Sequence, residues 1–356
     1  MSSIDISVRP VRLNNIQALR GIAALGVMAA HLLQIERKYS HDSILHEGLM
    51  FGMAGVDLFF LISGFIMVYI TQTTQNKGRD ISQFLFARGA RVYPLYWVVT
   101  FTLIVLYLIR PDMVFIQSAG EPNLMKSIFL WPEKAPPILE LGWTLIHEMG
   151  FYIIFALLLW LPQRLRLYGI FIWTVFVIIG LGLDLNEIND VLGILINPLT
   201  FEFLTGAIIA YLYLHLERLP AWPFVLMGGL ALSVSVNLWK SPIIDLFGNE
   251  WTRVIYFTPA LSLIVLGLLY LERANKIMPR WIVTLGDWSY ALYLTHVLSL
   301  SLIGYIWRPL GQSGYWDNIY VIVLMIFITI IVAGLTYKFI EKPLIDYSLH
   351  LRKRWF

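Results

Sequence analysis

The stretch NNIQALRGIAALGVMAAHLLQI, residues 14–35, indicates the fold class of this chain. It is long and apolar enough to cross a bilayer, yet it contains Arg20 and His31. At about 100° per residue, the two side chains face the same side of a helix, about 16 Å apart along its axis. Lipid does not repay the free-energy cost of such ionisable groups, so the pair indicates a functional site. The alternative is an Arg20 that reaches towards the membrane surface and a His31 that is hydrogen-bonded inside a bundle.

The composition predicts an all-α integral membrane protein. Of 356 residues, 58% are hydrophobic and only 14% are charged, which excludes an ordinary soluble globular domain. Cysteine is absent, so disulfides, thiolate catalysis and cysteine-ligated zinc are excluded. The first apolar stretch is too long and too charged for a signal-peptide core, and we interpret it as a retained span.

The apolar segments predict a bundle of about ten transmembrane helices in one membrane domain, residues 14–347. A cytoplasmic arm, 1–13, precedes this domain, and a basic cytoplasmic tail, 348–356, follows it. Most of the 26 Lys and Arg residues fall on one side of the predicted helices, which places both termini in the cytoplasm. The predicted spans are about 14–35, 51–71, 92–109, 141–161, 168–183, 198–214, 222–239, 251–271, 288–307 and 316–340.

Ionisable residues also occur in the predicted spans 2 and 4. Asp57 lies in AGVDLFFLISGF, and GWTLIHEMGFY places His147 beside Glu148 with Tyr152 one turn further on. With the predicted topology, Asp57, His147 and Glu148 share one layer with His31 in the outer half of the membrane, which predicts a polar cavity there. The alternative is a set of hydrogen bonds that hold the helices together.

Two further groups carry candidate chemistry. Arg88 and Arg91, in FLFARGARVYPLYW, project from one face at the cytoplasmic edge, where guanidinium groups suit a phosphate. The alternative for this pair is simple anchoring of the helix at the membrane surface. Tyr293 and His296 share a face of the ninth span, where each by itself is typical of a packed polar contact.

A basic rim inside and a histidine–carboxylate layer outside favour group transfer from a cytosolic anionic donor. A histidine assisted by a carboxylate, here Asp57 or Glu148, is the usual general base for a hydroxyl proton. The alternative function is a secondary transporter or flippase for a carbohydrate or its precursor, with the same residues as a proton pathway. Transporters often show two related halves, and the sequence shows no convincing repeat.

The motifs resemble those of the acyltransferase family 3 membrane proteins, in the exopolysaccharide-production (ExoZ-like) branch. The resemblance runs from about residue 14 to 347. It rests on Arg20 and His31 in the first span, the segments at 54–65, 84–97 and 142–152, SYALYLTH at 289–296, and IEKPL at 340–344. This resemblance implies a ten-span bacterial inner-membrane enzyme that moves an acyl group, commonly acetyl from acetyl-CoA, to a carbohydrate hydroxyl.

The resemblance also implies roles for individual residues. His31 would be the catalytic histidine, Arg20 its partner toward the donor, Arg88 and Arg91 the donor-binding pair, and Glu148 the acidic residue of the fourth span. One departure is His147, where related sequences usually have tyrosine, which leaves the identity of the acceptor open.

The remaining expectations concern ligands and mechanism. We expect His147, Tyr152, Tyr293 and His296 to contact substrate, and Asp57 to belong to the catalytic group. The expected partners are acyl-CoA, a cell-surface polysaccharide or lipid-linked sugar, and membrane lipids, without nucleic acid. No metal is expected, because no metal-ligand spacing such as His-Glu-x-x-His occurs. The sequence does not decide whether the protein forms a homo-oligomer. It also does not decide whether the acyl group is transferred directly or through an acyl-histidine intermediate.

Overall fold

The computed structural model describes residues 12–40, 42–72, 78–114, 121–238, 249–309 and 315–355, and in these ranges the chain is helical, without strands. Two 3-10 segments, Glu47–Met53 and Leu185–Glu187, and a π-helical turn, Tyr337–Glu341, interrupt the α-helices. The α-helices of these ranges are α1 Asn14–Tyr39, α2 Ala54–Ile70, α3 Gly78–Ile109, α4 Pro111–Val114, α5 Leu124–Phe129, α6 Gly142–Leu158, α7 Gln163–Gly182, α8 Asp190–Leu195, α9 Thr200–His215, α10 Ala221–Leu238, α11 Glu250–Arg273, α12 Arg280–Asp287, α13 Ser289–Trp307, α14 Tyr315–Thr336 and α15 Lys342–Trp355.

Eight helical stretches in the described ranges are long and apolar enough to span a bilayer. Two more apolar helices, Gly142–Leu158 and Ala221–Asn237, are shorter. An all-helical chain with eight candidate membrane spans is therefore confirmed, whereas the count of ten spans and the orientation of the termini stay predictions. The eight stretches are Asn14–Tyr39, Glu47–Ile70, Asp80–Ile109, Gln163–Gly182, Asp190–His215, Glu250–Arg273, Ser289–Trp307 and Trp316–Arg352.

Two helices extend well beyond the predicted spans. Helix α3 begins at Gly78 rather than near residue 92, so Arg88 and Arg91 lie inside it. Helix α14 continues through the π-helical turn into α15, so the basic tail is helical as far as Trp355. Hydropathy does not mark these ends because a helix can continue into water with polar residues. Residues 1–11 of the predicted arm and residue 356 of the tail lie outside the described ranges.

The chain divides into two compact units. The first unit is built around Phe60–Glu217, and the second comprises Leu13–Phe59 and Arg218–Lys342. One of the boundaries between them along the chain falls within α2, between Phe59 and Phe60. His31 and Asp57 therefore belong to the second unit, whereas Glu148 belongs to the first.

In the second unit, the start of α1 is held by polar side chains. The Glu272 carboxylate accepts hydrogen bonds from the backbone N–H groups of Asn14, at 2.6 Å, and Asn15, at 2.9 Å. These are donors that a helix cannot satisfy internally, and the negative charge also suits the helix N-terminus. The buried amide of Asn15 donates to the carbonyl oxygens of Leu268 and Lys276. The two asparagines that open the apolar stretch thus fix α1 against the end of α11.

Helix α1 packs closely on α12 because Gly21 lacks a side chain. A Cβ at Gly21 would lie 2.8 Å from the backbone nitrogen of Gly286, a separation that real Cβ atoms essentially never show. Small residues at such crossings let helices in membranes approach each other. This contact fixes α1, the helix that carries His31.

In the first unit, stacked aromatic rings fix α6, the helix of Glu148. Phe151 stacks on Phe203 of α9 with ring centroids 4.3 Å apart, and on Trp173 of α7 at 5.2 Å. Phe60 of α2 stacks on the same Phe203 at 4.6 Å. Stacked aromatic pairs add stabilisation beyond the area that they bury. The stack thereby sets the position of α6 relative to α2 and α9.

Candidate active site

His31 of α1 and His296 of α13 lie against each other in the second unit. Nδ1 of His31 is 3.2 Å from Nε2 of His296, and the ring centroids are 4.9 Å apart at an interplanar angle of 67°. Each Nδ1 also lies close to the carbonyl oxygen four residues earlier, at 2.9 Å from that of Val27 and 3.0 Å from that of Leu292. His31 is half-buried, whereas His296 is completely buried. The partly accessible imidazole of His31 therefore contacts the fully buried imidazole of His296.

The sequence assigns Asp57 to the catalytic group, and the structure gives it a different partner. Its two carboxylate oxygens accept from Nε of Arg253, at 3.1 Å, and from Nη2, at 3.0 Å. Both side chains are almost fully buried, at 4% exposure for Arg253 and 0% for Asp57. A forked guanidinium–carboxylate pair of this kind satisfies both charges. The partner that the structure gives for Asp57 is therefore Arg253, and a catalytic role of Asp57 stays a prediction.

Glu148 of α6 lies in a compact polar group of the first unit. Its Oε1 accepts from the Ser63 hydroxyl at 2.6 Å and from the Tyr152 hydroxyl at 2.5 Å. Ser63 lies in α2, so the group bridges two helices. Tyr152 is buried, and Glu148 is half-buried. The expected one-turn relation of Glu148 and Tyr152 is thus a direct hydrogen bond.

Arg88 of α3 borders the same group. Its guanidinium carbon lies 5.9 Å from the ring centroid of Phe84 and 6.0 Å from that of Tyr152, both within cation–π range. The Nε atom is buried and has no hydrogen-bond partner among the described residues. Buried donors are rarely left unpaired, and the side chain as a whole is only half-buried, so the guanidinium is chemically suited to an anion. Arg91, also half-buried, lies less than one turn further along the same helix.

The other predicted site residues have protein partners of their own. Arg20 donates to the side-chain oxygen of Gln17 at 3.1 Å. His147 is buried beside the rings of Trp143 and Phe60, with centroids 5.7 and 6.2 Å away. Tyr293 is also buried, and its ring lies 6.0 Å from that of His296. Contact of His147, Tyr152, Tyr293 and His296 with a substrate stays a prediction.

The sequence did not predict Ser63 as the partner of Glu148 or Arg253 as the partner of Asp57. Arg253 lies near the start of the eighth predicted span, 251–271, and a buried Asp57 requires a cation, but local sequence does not connect the two residues. Ser63 lies in the quoted AGVDLFFLISGF segment but resembles an ordinary small residue. Among the described residues, no group of three or more His, Asp or Glu side chains could hold a metal ion.

The chain is thus all-helical in its described ranges, with eight candidate membrane spans, a pair of histidines of which one is buried and one half-buried, and an arginine–glutamate–tyrosine group. A family model described as an acyltransferase domain, of the acyltransferase 3 type, matches residues 13–338. The chain therefore belongs to acyltransferase family 3, and it is an O-acyltransferase.

Three relatives show how far the similarity extends. The exopolysaccharide production protein ExoZ of Rhizobium meliloti is 30% identical over 275 residues, which are 74% of this chain and 81% of ExoZ. The acyltransferase MdmB of Streptomyces mycarofaciens is 25% identical over 94% of this chain and 92% of its own. The peptidoglycan O-acetyltransferase OatA of Listeria monocytogenes is 24% identical over 93% of this chain, which spans 55% of OatA. No solved structure matches the chain.

Proposed function

We propose that this protein transfers an acetyl group from cytosolic acetyl-CoA to a hydroxyl of an exopolysaccharide or other cell-surface carbohydrate. Its family membership supports acyl transfer, and the names of ExoZ and OatA support a polysaccharide acceptor. The same membership favours the enzyme over a transporter or flippase. The observation that carries the proposal is His31, a half-buried imidazole on an apolar helix with a second imidazole at its Nδ1.

The proposed setting is the bacterial inner membrane, with ten spans and both termini in the cytoplasm. The bias of Lys and Arg to one side supports this orientation. The eight long apolar helices and the two shorter ones support the count. Acetyl-CoA would then reach the protein from the face that carries most of the positive charge.

We assign the binding of the acyl donor, acetyl-CoA, to the arginine–glutamate–tyrosine group of the first unit. The buried Nε of Arg88 is an unused donor among the described residues, and CoA carries phosphates that accept such hydrogen bonds. Arg91 adds a second guanidinium on the same helix. The Glu148 carboxylate and the Tyr152 hydroxyl, which are bonded to each other, would position the donor through Arg88. Arg20 would assist on the donor side of His31.

We assign general-base catalysis to His31. Its imidazole would take the proton of the acceptor hydroxyl while the hydroxyl oxygen bonds to the acyl carbon of the thioester. The carbon–sulfur bond then breaks, and the departing thiolate takes the proton back from His31. The products are an O-acetyl ester and CoA with a free thiol. Asp57 would contribute indirectly, by holding Arg253 and α11 in place.

The test of this function is chemical. Surface polysaccharide is isolated from the producing strain, from a strain lacking the gene and from the complemented strain, and its O-acetyl content is measured by NMR. We expect loss of acetyl esters with normal polymer yield in the deletion strain, and recovery on complementation. Unchanged acetylation would contradict the proposal, and loss of polymer export would favour the transporter.

Replacing Arg88 by glutamine should weaken the binding of acetyl-CoA. Loss of a charge-assisted hydrogen bond costs about 1.5–3 kcal/mol, so the apparent KM for acetyl-CoA should rise on the order of 10- to 100-fold. The measurement is incorporation of [14C]acetyl into polysaccharide by membrane vesicles at varied acetyl-CoA.

The matched control is Arg164→Gln, which removes an exposed arginine of the same unit. This variant should keep the KM for acetyl-CoA within about twofold of the wild-type value, because exposed charges contribute little to binding. An unchanged KM in the Arg88 variant would argue against the donor assignment.

A further inference from the structure

We infer that His296 is a positioning residue for His31, which it holds in the tautomer protonated at Nδ1. This inference rests on the proposed role of His31 as general base. In the proposed reaction only one ring nitrogen of His31 can take up the hydroxyl proton. The contacts of the histidine pair determine which nitrogen that is.

The contacts of His296 define its own tautomer. Its Nδ1 lies 3.0 Å from the carbonyl oxygen of Leu292, and a carbonyl only accepts hydrogen bonds, so Nδ1 carries the proton. His296 is completely buried, which favours the neutral form of the ring. A neutral imidazole has a single N–H, so Nε2 of His296 carries a lone pair and accepts.

The accepting nitrogen of His296 then determines the tautomer of His31. Nε2 of His296 is 3.2 Å from Nδ1 of His31, so Nδ1 of His31 is the donor. The Val27 carbonyl oxygen, 2.9 Å from the same Nδ1, requires the same tautomer. Two independent acceptors therefore place the proton on Nδ1. Nε2 of His31 is left with the lone pair and is the basic atom.

His296 also affects the charged state of His31. When Nε2 of His31 takes the hydroxyl proton, the ring becomes an imidazolium, and its Nδ1–H bond to His296 becomes charge-assisted. No proton needs to leave His31 through His296, because the thiolate takes it back from Nε2. His296 thus does for His31 what a buried carboxylate does in a catalytic triad, but as a neutral acceptor. This fits the binding of both Asp57 oxygens to Arg253.

The test compares two replacements of His296 of similar length. Gln places an amide oxygen at the position of the imidazole Nε2, whereas Met places a methyl group there. We expect His296→Met to lower kcat on the order of 10- to 100-fold with the KM for acetyl-CoA within about twofold. His296→Gln should recover most of the activity. The assay is [14C]acetyl transfer to polysaccharide in membrane vesicles, normalised to protein in the membrane.

The control histidine is His215 of α9, whose Nδ1 also lies close to a carbonyl four residues earlier, that of Tyr211 at 2.8 Å. His215→Met should leave kcat unchanged. Equal losses in the Gln and Met variants of His296 would indicate a merely structural role and overturn the inference. Wild-type kcat in His296→Met would overturn it as well.

A second measurement is made on the wild-type protein and needs a variant only to assign its signal. In the wild-type protein, ring-15N-labelled histidine should give an Nδ1–H signal for His31, assigned by its absence from His31→Gln. An Nε2–H tautomer would overturn the inference. The two proposals can fail separately: an active His31→Ala would contradict the proposed base itself, whereas an inactive His31→Ala beside a fully active His296→Met would contradict only the positioning role.

Discussion

Replacing His31 by alanine should abolish acyl transfer while the protein remains in the membrane. A positioned general base contributes about 10²- to 10⁴-fold to a rate, and His31 is hydrogen-bonded both to His296 and to its own helix. We therefore expect turnover to fall at least about 100-fold. The measurement is [14C]acetyl incorporation into polysaccharide by vesicles, with the amount of folded protein checked by size-exclusion chromatography in detergent.

The matched control for this loss is His215→Ala. His215 shares the contact between Nδ1 and the carbonyl four residues earlier, but it is exposed and belongs to the first unit. Its removal should leave turnover near that of the wild type. Near-normal acetylation by His31→Ala would exclude His31 as the base, whatever donor the enzyme uses.

Replacing Arg253 by methionine should destabilise the second unit strongly. The Asp57 carboxylate, at 0% exposure, would lose both hydrogen bonds from the guanidinium. Removing one partner of a buried ion pair leaves an uncompensated charge and costs about 3–5 kcal/mol. The free energy of unfolding can be followed by titration with a denaturing detergent.

The double variant Asp57→Leu with Arg253→Met tests this explanation. With both charges removed, no charge is left without a partner, so much of the loss should be recovered. A double variant that is no more stable than Arg253→Met alone would contradict the explanation by an uncompensated Asp57 charge.

The exposed pair Arg37–Glu47, 2.8 Å apart, serves as a control, because its disruption should cost at most about 1 kcal/mol. Equal losses in the free energy of unfolding for the two pairs would show that burial of the Asp57–Arg253 pair does not cause the destabilisation.

The helical class and most helix positions follow from the amino-acid sequence alone. Lipid provides no hydrogen-bond partners for the backbone, so each span needs a continuous apolar helix, and such runs are visible in one dimension. The predicted span 198–214 matches α9, Thr200–His215, closely, and 288–307 matches α13, Ser289–Trp307. The start of α3 was missed, because its first turns contain polar residues that hydropathy does not distinguish from a loop.

Sequence also singled out His31, Asp57 and Glu148, because an ionisable residue in an apolar run is conspicuous whatever its partner. The pairing of these residues depends on how distant helices pack against each other. His31 and His296 are 265 residues apart, and Asp57 and Arg253 are 196 apart. Local periodicity relates residues three or four positions apart, as for Glu148 and Tyr152, but it contains no information on contacts between distant helices. Packing of the helices therefore gave Asp57 an arginine and His31 a second histidine.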